Sequence, residues 1–177
     1  EKRLSADITN FSTGASSVNK GEGLKDTIQN IHAMKMDCVV MRHPVPGSCF
    51  HVSKFVNAVV INAGDGTHEH PTQALLDMMS LWEKFDKLKG LNIAIVGDIL
   101  HSRVALSNIY GLQKMGANVT LCGPPHLIPK GISELDISVN SDIDEVIEWA
   151  DALNILRIQR ERMGVGIIPS VREYRDF

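Results

Sequence analysis

One stretch, residues 58–82, constrains this chain more than any other. Ala58-Val59-Val60-Ile61 is an apolar, β-branched run with the length of a short buried strand. Gly64 and Gly66 flank Asp65, a composition that lets the backbone take positive φ in a turn. From Pro71 onward Ala74, Leu75, Met78, Met79 and Trp82 recur at helical spacing, and Pro71 suits the first turn of that helix. The stretch therefore predicts strand, glycine turn and helix start, with His68, His70, Thr72 and Gln73 crowded at the junction. Such junctions are where open α/β sheets bind ligands, and the helix end favours anions. A solvated loop with capping residues has the same residue types, so the stretch alone leaves both readings open.

The flanking sequence extends the same alternation. Residues 7–12 form a short strand candidate, followed by a Gly/Ser-rich loop over 13–23 that carries one lysine, Lys20. That loop is either a flexible linker or a wrap around an anion, since small residues expose backbone N–H groups. Leu24, Ile28, Ile31 and Met34 mark one face of a helix. Residues 37–41 read as a buried strand running into Arg42-His43-Pro44, which sets Arg42 at the strand's carboxyl end. Residues 47–56 read as a helix packing Phe50, Val52 and Phe55, and a long helix covers 71–85. A second α/β unit follows the charged stretch 83–89. It reads as a strand over 91–96, a turn over 97–103, a helix over 104–115 and a strand over 118–122, then a helix over 145–150 and a strand over 152–156. Repeated β-α order implies α/β architecture, a parallel sheet with helices on both faces. Gly97 has no second glycine before Gly111, which argues against a dinucleotide-binding turn.

Composition removes several classes of function. With a net charge of −3 over 177 residues and no basic cluster apart from 157–162, nothing marks a nucleic-acid surface. No apolar run approaches the roughly 20 residues of a membrane span, and no signal-peptide pattern opens the chain. Cys38, Cys49 and Cys122 lack metal-ligand spacing, and Cys38 and Cys122 lie in apolar runs; all three are expected to be reduced, mostly buried thiols of a cytoplasmic protein. Residues 1–4 and 172–177 have helical patterns without caps, which suggests a piece of a longer protein.

The polar residues at the expected strand ends are Arg42, His70, Gln73, Arg103, Arg157 and Gln159, with Lys20 on its loop. A lone surface arginine does little. Three arginines and a lysine near one crevice suit a substrate set with several negative charges. An imidazole and a carboxamide beside them suit polarisation of a carbonyl. Neither a nucleophile elbow nor a His-x-x-x-His zinc pair occurs, so direct transfer between two bound anions, driven by positioning and electrostatics, is the expected chemistry.

The pattern Asn62-Ala63-Gly64-Asp65-Gly66 with His70-Pro71-Thr72-Gln73, Leu75 and Asp77 resembles the aspartate carbamoyltransferases. Other motifs agree in order: Ser16 with Lys20-Gly21-Glu22, Met41-Arg42-His43, Val96-Gly97-Asp98 with His101-Ser102-Arg103, and Leu156-Arg157-Ile158-Gln159 with Glu161-Arg162. The resemblance implies two three-layer parallel-sheet α/β domains with the active site between them. It divides the chain into a carbamoyl-phosphate-binding part, 1–72, an interdomain helix, 73–85, and an aspartate-binding part, 86–177. It implies that Arg42 and His70 hold the carbonyl oxygen, that Gln73 orients the carbamoyl NH2, and that Arg103, Arg157 and Gln159 hold the two carboxylates of aspartate. Ser16 and Lys20 would act in a neighbouring subunit's site, Lys20 touching both phosphate and aspartate, which implies a homotrimer with shared sites. No metal or organic cofactor is implied, and association with a regulatory chain or a dihydroorotase stays open.

Two family motifs do not occur in these residues: a Ser-Thr-Arg-Thr-Arg phosphate-binding run, expected upstream of residue 1, and a His-Pro-x-Pro loop, expected after residue 177. A fragment of a working enzyme is the expectation; a catalytically inactive scaffold paralogue is the alternative. Ornithine carbamoyltransferase is the nearer rival, sharing His-Pro-x-Gln but typically carrying an Asp-Val-Trp motif that is not seen in this stretch. Arg103 and Arg157 suit a dicarboxylate better than a cationic side chain.

Overall fold

The computed structural model describes residues 2–11 and 23–158. Packing divides the chain into two compact units, Glu1–Met41 with Ser48–Ile61, and Arg42–Gly47 with Asn62–Phe177.

In the first unit a 3-10 turn, Lys2–Leu4, precedes helices α1 (Leu24–Ala33) and α2 (Ser48–Ser53). Strands β1 (Cys38–His43) and β2 (Val59–Asp65) pair as a two-stranded sheet whose ends run into the second unit. Ile28 of α1, Val52 of α2 and Val56 form a small core, onto which Val39, Met41, Ala58 and Val60 pack. Side chains alternate across a strand. The opposite face of the pair therefore carries Cys38, Val40, Arg42, Val59 and Ile61, all exposed.

Several sequence expectations change here. The runs 37–41 and 58–61 are half-buried strands, not buried ones, because both helices of the unit cover the same face. Cys38 is exposed for the same reason. Residues 7–11 pair with no strand among the described residues; only Ile8 is half-buried there, too little apolar surface to anchor one. Met34 falls beyond the last turn of α1 and is exposed. Helix α2 ends at Ser53, so Phe50 lies exposed beneath Lys54, with Nζ 4.4 Å from its ring centroid, and Phe55 follows the helix.

The second unit holds α3 (Pro71–Phe85), β3 (Asn92–Val96), α4 (Arg103–Lys114), β4 (Asn118–Cys122), β5 (Ser138–Val139), α5 (Ile143–Trp149) and β6 (Ala152–Ile155). The sheet order is β5-β4-β3-β6 and every pairing is parallel. β3 occupies the centre: Ile93 lies opposite Val119 on one side and Ala152 on the other. Its residues alternate between two cores. Ile93 and Ile95 join Ala105, Ile109 and Leu112 of α4, with Met78, Leu81 and Phe85 of α3 packed against them. Ala94 joins Cys122 and Val146 of α5 on the opposite face. This is a three-layer sandwich, as a β-α-β pattern requires. Each fully buried Ile or Leu there contributes about 1.5–3 kcal/mol.

Caps set the helix limits. The Ser102 hydroxyl accepts from Ala105 N–H at 3.2 Å to open α4, and the Asp142 carboxylate accepts from Asp144 and Glu145 to open α5. Pro71 stands at the first position of α3, and Asp86, left-handed at φ 55°, ends it. No helix among the described residues is long and apolar enough to cross a membrane.

Candidate active site

The site grows from the turn after β2. Asp65 N–H donates to the Glu69 carbonyl at 3.0 Å, closing a tight loop, and Gly66 N–H donates to the His43 carbonyl at 2.8 Å. The Asp65 carboxylate, nearly wholly buried, accepts from Gly47 N–H at 2.9 Å and Glu69 N–H at 3.1 Å. Burial alone would raise its pKa. The bonds from Gly47, Asn62 and Glu69, with His68 alongside, outweigh that and bring it below the ordinary carboxylate value. One carboxylate thus ties the segment after Arg42 to the segment before His70.

The glycines of this turn make room for an arginine. Gly64 has φ +124°, and a Cβ there would meet Arg103 Cζ at 2.8 Å. The Arg103 guanidinium lies against that bare backbone, and Nη1 donates to the Gly66 carbonyl at 3.1 Å. Arg103 is buried at the start of α4, where it follows the carboxyl end of β3. Asp98, in the same turn, is fully buried and accepts from His101 Nδ1 at 2.8 Å.

His70 sits at the mouth of α3. Its N–H donates to Ser107 Oγ at 2.8 Å, which anchors it to α4, and its Nδ1 lies 3.2 Å from Thr72 Oγ1. Desolvation first, then the positive charges of Arg103 and Arg42, lower its pKa below the ordinary 6.5, against a smaller opposing pull from Asp77. Burial and the two nearby guanidinium groups therefore both favour the neutral imidazole at pH 7. One turn along α3, Gln73 Nε2 donates to Asp77 Oδ1 at 2.8 Å. Asp77 Oδ2 accepts from Asn108 Nδ2 at 2.7 Å and Asn154 Nδ2 at 3.3 Å.

Arg42, His70, Gln73 and Arg103 therefore share one unit, with Arg42 and Arg103 both close enough to shift His70. Arg157 is exposed just past β6. Parallel pairing of Val96 with Ile155, and the bond from Leu156 N–H to the Val96 carbonyl, put its segment at the same sheet end as the turn leading to Arg103. Ser16, Lys20 and Gln159 lie outside the described residues, as do most of the loop over 13–23 and the end of the chain. Sequence reasoning gave no role to Ser107, Asp65 or Asp77. Asp77 had a signal: it is four residues after Gln73, the spacing that joins side chains on one helix face. Ser107 had none, because its contact with residue 70 is tertiary.

Electrostatically, the cluster is a neutral imidazole and a fixed carboxamide among cationic side chains. That arrangement can polarise a carbonyl beside an anionic group without a covalent intermediate.

Known proteins resemble the chain over most of its length. Residues 1–83 match the model of the aspartate/ornithine carbamoyltransferase carbamoyl-P binding domain. The aspartate carbamoyltransferase catalytic subunit of Christiangramia forsetii is 57% identical over 98% of this chain and 56% of its own length. That of Flavobacterium psychrophilum is 56% identical over the same shares. Among solved structures, aspartate transcarbamoylase from Trypanosoma cruzi in complex with N-(phosphonacetyl)-L-aspartic acid superposes with a TM-score of 0.82 at 32% identity, covering 92% of this chain and 55% of that one. The chain thus spans little more than half the length of the relatives it matches. Its motifs, its parallel α/β sheet and these likenesses agree in relating the chain to the aspartate/ornithine carbamoyltransferases, whose carbamoyl-P binding domain its residues 1–83 match.

Proposed function

We propose that the protein of which this chain is a part is an aspartate carbamoyltransferase. It joins carbamoyl phosphate and L-aspartate to give N-carbamoyl-L-aspartate and phosphate, an early step of pyrimidine synthesis. The supporting observation is the His70 cluster: an imidazole kept neutral by burial and two arginines, one turn from an oriented carboxamide.

In this reading the α-amino nitrogen of aspartate attacks the carbonyl carbon of carbamoyl phosphate. The new C–N bond forms, the C–O bond to phosphate breaks, and the amine proton leaves with phosphate. Charge develops on the carbonyl oxygen. In this reading the neutral imidazole carries its proton on Nε2 and donates it to that oxygen, while Nδ1, 3.2 Å from the Thr72 hydroxyl, accepts from it. Arg42 supports the same oxygen and Gln73 orients the NH2. Arg103 and Arg157 take the carboxylates of aspartate, with Gln159 beside Arg157. Ser16 and Lys20 serve a neighbouring subunit's site in a cytoplasmic homotrimer. The division into 1–72, 73–85 and 86–177 belongs to the same proposal.

The T. cruzi relative is described as a complex with N-(phosphonacetyl)-L-aspartic acid, which joins a phosphonate and an aspartyl group in one molecule. Calorimetric titration of the full-length protein with that compound tests the reading. Tight binding, weakened by His70→Ala and again by Arg103→Ala, is expected. Absence of binding to the folded protein contradicts it.

A further inference from the structure

We propose that Asp77 is the positioning residue through which this site demands an N–H group on its acyl donor, setting a preference for carbamoyl over acetyl phosphate. The inference rests on the carbamoyl-transfer reading above.

An ionised carboxylate only accepts hydrogen bonds. The Gln73 group facing Asp77 Oδ1 at 2.8 Å is therefore Nε2, and the amide orientation is dictated by chemistry. Turning Gln73 over would set Oε1 against the carboxylate, two acceptors face to face. Asp77 cannot swing aside to permit it, because Asn108 Nδ2 from α4 and Asn154 Nδ2 from β6 hold its other oxygen at 2.7 and 3.3 Å. Asn108 is itself fully buried. The end of Gln73 left for a ligand is thus Oε1, an acceptor. The NH2 of a carbamoyl group pairs with it; the methyl group of an acetyl group leaves it unpaired. Sites built around a hydrogen bond reject analogues that lack the partner.

Asp77→Asn inverts this logic with almost no change of shape. Asn108 and Asn154 are donors, so they take the new amide's oxygen. The new NH2 group then faces Gln73, which turns over to present Nε2 to the ligand. A donor now opposes the carbamoyl NH2, while an acetyl methyl group is little affected.

The test uses the full-length protein with saturating L-aspartate and either acyl phosphate. N-carbamoyl-aspartate or N-acetyl-aspartate is measured; in both cases a C–N bond forms, the C–O bond to phosphate breaks and the amine proton leaves with phosphate. Where acetyl transfer is too slow to follow, the inhibition constant of acetyl phosphate against carbamoyl phosphate replaces its kcat/KM. The carbamoyl-over-acetyl ratio is expected to fall about tenfold or more in Asp77→Asn, the effect of one lost hydrogen bond. Gln73→Met, similar in shape and without the acceptor, should lower the ratio by a comparable factor, and the double variant should lower it no further. Asn154→Ala removes only the longer of the two bonds to that oxygen, at 3.3 Å; the 2.7 Å bond from Asn108 still holds Asp77, and the bond to Gln73 stays. It should lower the melting temperature and keep the ratio within about twofold.

An unchanged ratio in Asp77→Asn or in Gln73→Met overturns the proposal, as does an equal fall in Asn154→Ala, which would make Asp77 a general structural anchor. If Asp77→Asn does not fold, Gln73→Met decides alone. Wild-type protein that carbamoylates aspartate while the ratio ignores both variants refutes this inference only; wild-type protein that makes no carbamoyl-aspartate refutes the underlying reading as well.

Discussion

Replacing Gly64 by alanine tests how the turn, the buried arginine and the imidazole depend on one another. At φ +124° an L-residue is strained, at a cost of about 1–3 kcal/mol. The added Cβ would lie 2.8 Å from Arg103 Cζ and 3.0 Å from Nη1, so the guanidinium has to move. As the end of a flexible side chain it can, but it gives up the 3.1 Å bond from Nη1 to the Gly66 carbonyl. A hydrogen bond to a charged group contributes about 1.5–3 kcal/mol. With partial relaxation the total is roughly 2–5 kcal/mol. At about 2–4 °C per kcal/mol for a chain of this size, the melting temperature should fall by roughly 4–20 °C. Arg103 is one of the charges that hold the His70 pKa down, so displacing it should change that pKa, upward where the guanidinium leaves the imidazole. Calorimetry and an NMR titration of the His70 ring read both effects in one protein. A variant that melts with the wild type, and whose His70 titrates as before, would refute the packing of Arg103 on the turn.

Three further outcomes follow, two from the same geometry and one from the proposed shared sites. His70→Ala should cut turnover about 100- to 1,000-fold in a folded protein, the effect of losing one donor to a developing oxyanion, and unchanged kcat would remove His70 from the mechanism. Because the folded pKa of His70 lies below the unfolded value, the unfolded chain takes a proton first; the resulting stability is complete above the unfolded pKa near 6.5 and is lost as pH falls through the folded pKa. Asp65 acts in the same direction at lower pH, its contribution disappearing as pH falls below about 3.8 and through its lowered folded pKa. Wild type should therefore lose stability relative to His70→Gln as pH drops from 7 to 5, and denaturant melts showing the reverse would contradict the shift. Under the shared-site proposal, Lys20→Gln and Arg42→Ala proteins, each inactive alone, should regain activity when their subunits are exchanged, and no recovery after exchange would argue against shared sites.

The sequence was most legible where one rule dominated. Pro71 and the apolar periodicity after it mark α3, which spans Pro71–Phe85, and β4 spans the expected 118–122. Both lie in the unit with the larger core, where periodicity and burial agree. The pair β1 and β2 was harder to read. An apolar run such as 58–61 does not say how many of its faces are covered, and here Val59 and Ile61 point away from the helices that bury Val60. β5 has only two residues and no periodicity to detect.

The candidate site divides along the same line. His70 and Gln73 could be read from a contiguous motif, as could the glycine turn beside them. That the turn is bare in order to seat Arg103 could not, since residues 64 and 103 meet only through the fold. Asp77 was visible at helical spacing from Gln73, but its other partners, Asn108 and Asn154, come from α4 and β6 and carry no local signature.

The most direct measurement is acceptor choice by the full-length protein supplied with carbamoyl phosphate and either L-aspartate or L-ornithine. The account predicts N-carbamoyl-L-aspartate with aspartate and no citrulline with ornithine. Citrulline would contradict the roles given to Arg103 and Arg157. No product from either acceptor, in a folded protein, would contradict carbamoyl transfer itself and favour an inactive assembly role.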